Sequence, residues 1–442
     1  MTPTTLAAPA ARLRHPTGFW FIFWGELAER ASYYGMRTLL ALYLVDVLGF
    51  GTSSGAGIMQ FYMAAAYLTP LLGGWIADRK LGRYWTIVLF SVPYIAGHLV
   101  LGGVQTRTGL FIALPLLALG AGAIKPNTST LMGMMYEAEK KEALLGRAFS
   151  YFYAAINIGS AVTSLGLPLL RNRSGYGVAL AVPAALMALA LVFFASGRRF
   201  YPKESPGRAV STVKAPAIWS RQQRPVLSVF LLIAVFWFVY DQTASTWVFF
   251  ARDHMNLQLW RGVSVTPDQI QGLNAVMILV LTPAFNWLWR MLRDRRGGAE
   301  VRDTDKMMLG FIIVFFCMAT MAVAGGLAGV GKVSAWWAIA ATAVITMAEL
   351  CISVVGLEFA FRRAAVGTKS AITAAFHFMV FVGDSFGGFI AQLYERVSPA
   401  AYFALQAVII AAAAVVFRVV VTRMFPAEPA PDAAPDGEPV AA

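Results

Sequence analysis

The sequence is poor in charged residues, which make up 13% of its 442 positions, whereas hydrophobic residues make up 58%. Soluble domains carry roughly 25% charged residues, so this composition excludes a chain of soluble globular domains. Apolar runs of the length that crosses a bilayer recur along the whole sequence. The composition therefore predicts a polytopic membrane protein whose main partner is the lipid bilayer.

Cysteine is almost absent. The two cysteines, Cys317 and Cys351, both lie within apolar segments, and no metal-ligand spacing is present. We therefore expect neither a disulfide framework nor a bound metal. A net charge of +13 is compatible with nucleic acid, but the basic residues cluster in alternate loops between the apolar runs. We therefore expect no nucleic-acid partner.

Twelve segments are apolar and long enough to span a bilayer, which predicts an all-α membrane protein. No cleavable signal peptide precedes the first segment, so we expect that segment itself to direct membrane insertion. The predicted spans lie at residues 18–46, 54–77, 83–105, 108–135, 144–168, 176–197, 225–251, 268–292, 306–328, 333–361, 370–394 and 399–423.

The basic residues also predict the orientation. Most of the 36 lysines and arginines lie in one alternate set of loops, and the positive-inside rule places this set, with both termini, in the cytoplasm. The longest loop is basic and contains prolines, and it separates two sets of six helices, an arrangement typical of transporters built from repeats. The predicted divisions are an N-terminal tail at 1–17, a six-helix bundle at 18–197, a cytoplasmic linker at 198–224, a second six-helix bundle at 225–424 and a disordered tail at 425–442.

The first predicted helix contains several charges within the stretch GELAERASYYGMR, residues 25–37. At about 100° per residue, its polar side chains share one face of the helix. They are Glu26, Glu29, Arg30, Tyr33 and Arg37, with Tyr34 at the edge of the face. A charge at the bilayer centre costs about 2.5–3.5 kcal/mol, so this face should meet a cavity or another bundle rather than lipid. The alternative is a salt bridge between Glu26 and Arg30 that only orients the helix.

Further ionisable residues lie within later spans. Lys125 in the fourth span needs a carboxylate partner unless its side chain extends to the interface. The acidic residues of the second half are Asp241, Glu349 and Asp384 in predicted helices 7, 10 and 11. Glu358 precedes Arg362 by four residues near a span end, which predicts a surface ion pair. Opposite charges on the two halves indicate a proton-coupled carrier of small charged solutes.

Seven segments, taken in order, resemble the proton-dependent oligopeptide transporter (POT) family of the major facilitator superfamily. The first, ELAERASYYGMR, is similar to the ExxER–YYG signature of that family. The others are AAAYLTPLLGGWIADRKLGR, GAGAIKPNTS, FSYFYAAINIGS, FWFVYDQ, IQGLNAVMILVLTPAFNWLW and ELCISVVGL. The resemblance covers about residues 18–390 and implies two six-helix bundles that import di- and tripeptides with protons. Bacterial members often have two extra helices between the bundles, but the 198–224 loop is too short and polar for them.

The resemblance implies roles for residues at matching positions. The implied proton-coupling site is Glu26, Glu29 and Arg30. The implied substrate-binding residues are Tyr33, Tyr34, Arg37, Tyr67, Lys125, Asn157, Asn274, Glu349 and Phe376. The implied gating pairs are Arg37 with Asp241, Lys125 with Glu349, and Asp78 with Arg83. Protons are the coupling ion, so no cofactor is expected, and we expect a monomer in the inner membrane of a bacterium.

Three departures from the family pattern lie in predicted helix 11. Phe376 stands where the family usually has tryptophan, and His377 and Asp384 are unusual there. These changes leave a second class of cargo open, namely modified peptides, amino-acid conjugates or other small charged solutes. His377 is either an additional protonation site or a packing residue.

Two other functions remain as weaker alternatives. Asp241 and Asp384 loosely resemble the paired aspartates of intramembrane proteases, but twelve spans and intramembrane basic residues fit an enzyme poorly. A peptide sensor that does not transport is the other alternative. The sequence favours a transporter rather than an enzyme.

Overall fold

A computed structural model of the chain describes residues 14–204, 223–363 and 369–425. We call residues 14–204 the N-terminal half and residues 223–425 the C-terminal half. The helices of the N-terminal half are α1 (Thr17–Asp46), α2 (Thr52–Ile76), α3 (Gly82–Gly103), α4 (Arg107–Ala138) and α5 (Leu145–Ser196). Those of the C-terminal half are α6 (Arg224–Tyr240), α7 (Thr246–His254), α8 (Gln269–Arg295), α9 (Asp303–Leu327), α10 (Trp336–Glu349), α11 (Val355–Arg363), α12 (Lys369–Ala391) and α13 (Pro399–Met424).

Four very short strands accompany the helices. They are β1 (Met255–Asn256), β2 (Gln258–Trp260), β3 (Val263–Ser264) and β4 (Val333–Ser334). Strand β1 pairs in parallel with β4, and β2 pairs antiparallel with β3. They connect the ends of helices in the C-terminal half and leave the architecture all-helical in character.

Local sequence explains where several helices begin. Thr106 precedes α4, and its side chain accepts a hydrogen bond from the Gly109 amide at 3.1 Å. Ser398 caps α13 in the same way, with Pro399 in the first helical turn. Such caps satisfy amide groups that have no partner within the helix.

The length and composition of the helices identify a membrane protein. Nine helical segments of the described residues are long and apolar enough to cross a membrane. Two of them, Thr52–Gly103 and Glu142–Ser196, contain 52 and 55 residues, more than twice the roughly 20 that a span needs. Each is interrupted by a glycine with positive φ, Gly82 at 75° and Gly175 at 81°, a conformation that favours glycine. The multi-pass expectation is confirmed.

The second half contains two breaks that hydrophobic periodicity does not predict. The predicted spans 225–251 and 333–361 are continuous, whereas the structure interrupts both. A 3₁₀ turn, Asp241–Ala244, separates α6 from α7, and a π-helical turn, Leu350–Val354, separates α10 from α11. The first break begins at Asp241 and the second directly follows Glu349. Such irregular turns often occur at functional positions.

Buried apolar side chains form two clusters. One consists mainly of residues between Phe19 and Tyr201, and the other mainly of residues between Val226 and Phe425. In the first, α1 packs along α5 so closely that a Cβ on Gly159 would lie 2.6 Å from the Leu27 carbonyl oxygen. Each half therefore has a core of its own.

Several predicted segments fall wholly or partly outside the described residues. The tail at 1–17 is described only from residue 14, and that at 425–442 only at residue 425. The predicted linker at 198–224 is described at 198–204 and 223–224, where Arg198–Phe200 forms a 3₁₀ turn.

Candidate functional site

Arg30 lies between two carboxylates of its own helix. Its Nε is 3.2 Å from Glu26 Oε1 and also contacts the Glu29 carboxylate. All three residues are at most 3% exposed, and the other Glu29 oxygen has no hydrogen-bond partner among the described residues. A narrow crevice between α1, α3, α4 and α5 reaches both glutamates. The structure thus places two carboxylates and one guanidinium inside the N-terminal half.

A second arginine of α1 joins the two halves. Arg37 donates to Asp241 at 2.6 Å, and the exposed fractions of the two side chains are 15% and 6%. Gln60 of α2 reinforces this contact, since its amide donates to the Asp241 backbone oxygen and to Ser245 Oγ, both at 2.9 Å. The contact predicted between Arg37 and Asp241 is therefore present, and it lies at the break between α6 and α7.

Tyrosines surround these cations. The Tyr33 and Tyr34 rings lie perpendicular to each other at 5.1 Å, and the Arg37 guanidinium is 5.9 Å from the centre of the Tyr34 ring. The Lys125 ammonium lies 4.6 Å from the centre of the Tyr67 ring. Aromatic faces stabilise cations that are partly removed from water. The polar residues predicted on α1, α2 and α4 thus come together.

Glu349 is held by polar groups of the C-terminal half. It accepts hydrogen bonds from the Tyr240 hydroxyl at 2.8 Å and from the Asn274 amide at 2.9 Å. Asn274 also donates to Thr346 at 3.0 Å. No ion pair joins Glu349 to Lys125, although the structure describes both residues. In this conformation the predicted pair of Lys125 and Glu349 is not formed.

Other predicted residues lie apart from this group or bond locally. Asn157 donates to the Tyr153 carbonyl one turn earlier, at 2.9 Å. Phe376 is 3% exposed, and its ring packs against Phe230 in the core of the C-terminal half. His377 Nδ1 lies 2.9 Å from the Thr373 carbonyl oxygen of the same helix, as in a packing residue.

A π-helical turn, Ala77–Leu81, joins α2 to α3, and Arg83 braces it. Arg83 contacts Asp78 at 2.8 Å, as predicted, and Glu204 at 2.7 Å. The Arg83 backbone amide also donates to Glu204 at 2.8 Å. Sequence reasoning missed Glu204, although an acidic residue in an otherwise basic linker was a usable signal. The surface ion pair predicted between Glu358 and Arg362 is confirmed.

The contacts between the halves are concentrated at one end of the molecule. We call the end where α1 finishes and α2 begins the Asp46 end, and the end where α3 begins the Arg83 end. From Arg37 outward to the Asp46 end, the halves are joined by Arg171 with Asp268, Arg252 with Asp46, Gln269 with the Leu165 oxygen, Gln392 with the Ser53 oxygen, and Glu395 with the Thr52 amide. Towards the Arg83 end, the described residues show no hydrogen bond between the halves. The protein is closed at the Asp46 end.

Glu395 shows how one of these closing contacts is stabilised. Its carboxylate accepts a hydrogen bond from the Thr52 amide at 2.8 Å, and its own amide donates to Ser53 Oγ at 3.0 Å. Burial alone would raise the pKa of Glu395, but hydrogen bonds from Ser53 and Thr52 outweigh it and hold this pKa below its ordinary value. The closed form therefore favours the charged carboxylate.

These features define a class of protein. Two helical halves have buried charges between them, helices broken at those charges, and contacts that close one end only. That combination is typical of secondary transporters, whose substrates bind between repeated bundles.

Comparison with known proteins identifies the family. A sequence model of the POT family matches residues 84–225 and 220–407, so the chain belongs to that family. It is 32% identical to solute carrier family 15 member 2 of Danio rerio over 360 residues, covering 69% of this chain and 49% of that protein. It is 30% identical to peptide transporter family 1 of Drosophila melanogaster over 351 residues, covering 69% and 47%. The chain spans about half the length of these curated relatives.

The fold agrees with the family. The crystal structure of the POT family transporter PepTSo superposes with a TM-score of 0.84 at 26% identity, covering 93% of this chain and 99% of that one. The resemblance inferred from the sequence is thereby confirmed. The relatives are transporters, so the chain belongs to a transporter family and not to an enzyme family.

Proposed function

We propose that the protein is a proton-coupled symporter that imports di- and tripeptides by alternating access. Membership of the POT family supports the class of transport, and the name of the Drosophila relative supports peptide as cargo. The observation that carries the proposal is the asymmetry of closure. The two halves are hydrogen-bonded from Arg37 to the Asp46 end, whereas the described residues show no such bond towards the Arg83 end.

The basic loops support an orientation for this state. Arg79, Lys80 and Arg83 lie at the Arg83 end, which the positive-inside rule assigns to the cytoplasm. The closed Asp46 end then faces outwards, and the conformation is open to the inside. The Arg37–Asp241 pair acts as the outer gate, and the separated Lys125 and Glu349 are free to approach each other when the inner side closes.

Charge complementarity supports the binding roles. Arg37 and Lys125 attract the peptide carboxylate, while Glu349, held in place by Asn274, attracts the amino group. Tyr33, Tyr34 and Tyr67 line the site between the two poles. A zwitterionic peptide therefore satisfies both halves at once and favours their closure around it.

The Glu26, Glu29 and Arg30 group is proposed as the proton-coupling site. Two carboxylates share one guanidinium there, so the group has room for one proton. A proton that moves down a potential of 100 mV releases about 2.3 kcal/mol, enough to concentrate a neutral peptide some tens-fold. Protons are then the coupling ion, and no cofactor is required.

The test is dipeptide uptake into liposomes that contain the purified protein. Acidification outside should stimulate uptake by the wild type, and Glu29→Gln should abolish this stimulation. Glu358→Gln is the matched control, because it removes an exposed carboxylate and should leave uptake unchanged. Strong accumulation by Glu29→Gln without pH dependence would contradict the assignment of the coupling site.

A second candidate keeps the carrier and changes its cargo to modified peptides, amino-acid conjugates or other small charged solutes. The α12 residues favour it, because Phe376 is buried against Phe230 rather than in contact with Tyr33, Tyr34 or Lys125. Counterflow against a library of dipeptides and conjugates separates the two. Exchange of conjugates with no exchange of any plain peptide would select the second candidate.

We also propose twelve spans in the bacterial inner membrane, with both termini in the cytoplasm and the monomer as the working unit. The described residues contain nine apolar helical segments, and two of these are of double length and turn at a glycine. Each double segment counts as two spans, and α1 adds one more, which supports a count of twelve. Single cysteines at Ser174 and Arg79, tested with a membrane-impermeant thiol reagent on intact cells, check it. Labelling at Ser174 alone is expected, and labelling at Arg79 would overturn the orientation.

A further inference from the structure

Asp384 of α12 is a fully buried acidic residue. The residue is 0% exposed, and neither carboxyl oxygen has a hydrogen-bond donor among the residues that the structure describes. The side chain of Asp241 lies within hydrogen-bonding reach of it. The Asp241 oxygen that does not receive Arg37 also has no donor within the described part of the chain. Two buried carboxyl groups therefore face each other.

The fold holds this pair together through close helix packing. The sequence around Asp384 is VGDSFGG, and a Cβ on Gly383 would lie 2.4 Å from the Ala234 carbonyl oxygen. Gln242 of the 3₁₀ turn donates to the Gly387 oxygen at 3.2 Å. The glycines thus let α12 approach α6 backbone to backbone, which fixes the distance between the two aspartates.

The charges around the pair do not allow both carboxyls to be ionised cheaply. Arg37 is the cation in contact with it and binds one oxygen of Asp241. The other titratable groups that face the pair are Tyr33 and Tyr34 on α1, Tyr67 on α2, Lys125 on α4, Tyr240 on α6 and Glu349 on α10. Two adjacent carboxylates against one guanidinium leave a surplus negative charge in a buried site, which a shared proton removes.

We infer that Asp241 and Asp384 share one proton, forming a proton site in the C-terminal half that is separate from Glu26, Glu29 and Arg30. Asp384 carries the hydrogen and donates it to Asp241, which keeps its other oxygen for Arg37.

The test is infrared difference spectroscopy of the purified protein at neutral pH, where exposed carboxyl groups are ionised. A protonated carboxyl shows a carbonyl band that shifts in heavy water. Compared with the wild type, Asp384→Asn should lose one such band, and Arg37→Gln, which removes the cation permanently, should gain one. Glu358→Gln should leave this region unchanged, because its carboxylate is half exposed and paired with Arg362.

Each outcome bears on the inference. A carbonyl region in Asp384→Asn identical to that of the wild type would overturn the shared proton. No gain in Arg37→Gln would overturn the inference that Arg37 keeps the second carboxyl of the pair ionised. Asp384→Ser provides a smaller polar replacement if the asparagine variant does not purify as a single species. None of these measurements needs transport, so a failure to move peptides would leave the proton site standing.

Discussion

Removal of the Asp241 carboxylate should open the Asp46 end. The side chains of Arg37 and Asp241 are 15% and 6% exposed, so they form a buried ion pair rather than a surface one. Loss of one partner from a buried pair costs about 3–5 kcal/mol, against about 0–1 kcal/mol at a surface. Because the amide introduced by Asp241→Asn would keep an acceptor oxygen for Arg37, we expect a cost at the lower end, about 3 kcal/mol, which is roughly a 100-fold shift towards the open form.

The shift can be measured as a distance between spin labels on the two halves. Cysteines at Ser174 and Val330 place one exposed label on each half near the Asp46 end, and the native Cys317 and Cys351 are buried. The Asp241→Asn variant should gain a population with a longer distance. Glu358→Gln is the control and should match the wild type. A wild-type distance distribution in Asp241→Asn would refute the role of this pair as a gate.

Three further outcomes follow from the same structure. Because hydrogen bonds hold the pKa of Glu395 below its ordinary value in the closed form, its contribution to closure should persist at about pH 5–7 and disappear only below about pH 4, as label distances would show. Gly383→Ala should destabilise the fold by about 1–3 kcal/mol and so lower the thermal unfolding temperature. Gly133→Ala should leave that temperature unchanged, because a Cβ at Gly133 meets nothing within 4 Å. Glu204→Gln should destabilise the protein more than Asp78→Asn in the same assay, because the side chains are 11% and 55% exposed.

The sequence was sufficient to predict the membrane class, the family and most of the polar residues that meet between the halves. Apolar run length determines spans directly, and a charge inside a span must be placed where a partner or water can reach it. That constraint is why Glu26, Arg30, Arg37 and Asp241 could be identified from the sequence. Glu26 pairs with Arg30 along one face of α1, and Arg37 on the same face pairs with Asp241 of the other half. Both pairs agree with the polar face that the helical period predicted.

Other features depended on distances in space that no local pattern encodes. The breaks after Tyr240 and Glu349 lie within segments that are apolar over the length of a span apart from single acidic residues, so run length predicted continuous helices. Under the proposed transport cycle, Lys125 and Glu349 meet only when the other end closes, and a sequence does not show which of two conformations is adopted. The brace from Glu204 to Arg83 joins residues far apart in the chain.

The use of charge at the closing contacts has a physical consequence for the transport cycle. An apolar seal of the same area would close the Asp46 end permanently, because no ligand or proton competes with it. An ion pair such as Arg37 with Asp241 gains little over its hydrated, separated partners, since its Coulomb attraction is offset by desolvation. Under the proposed function, a peptide carboxylate at Arg37 or a proton on Asp241 would replace one partner and shift the balance between the closed and open forms. Arg37 with Asp241 and Asp384 is a group of two carboxyls and one guanidinium, and Glu26, Glu29 and Arg30 form a similar group inside the N-terminal half. We propose that each half has a group whose charge balance a single proton changes, and that Arg37 links the two groups because it extends from α1 to the C-terminal half.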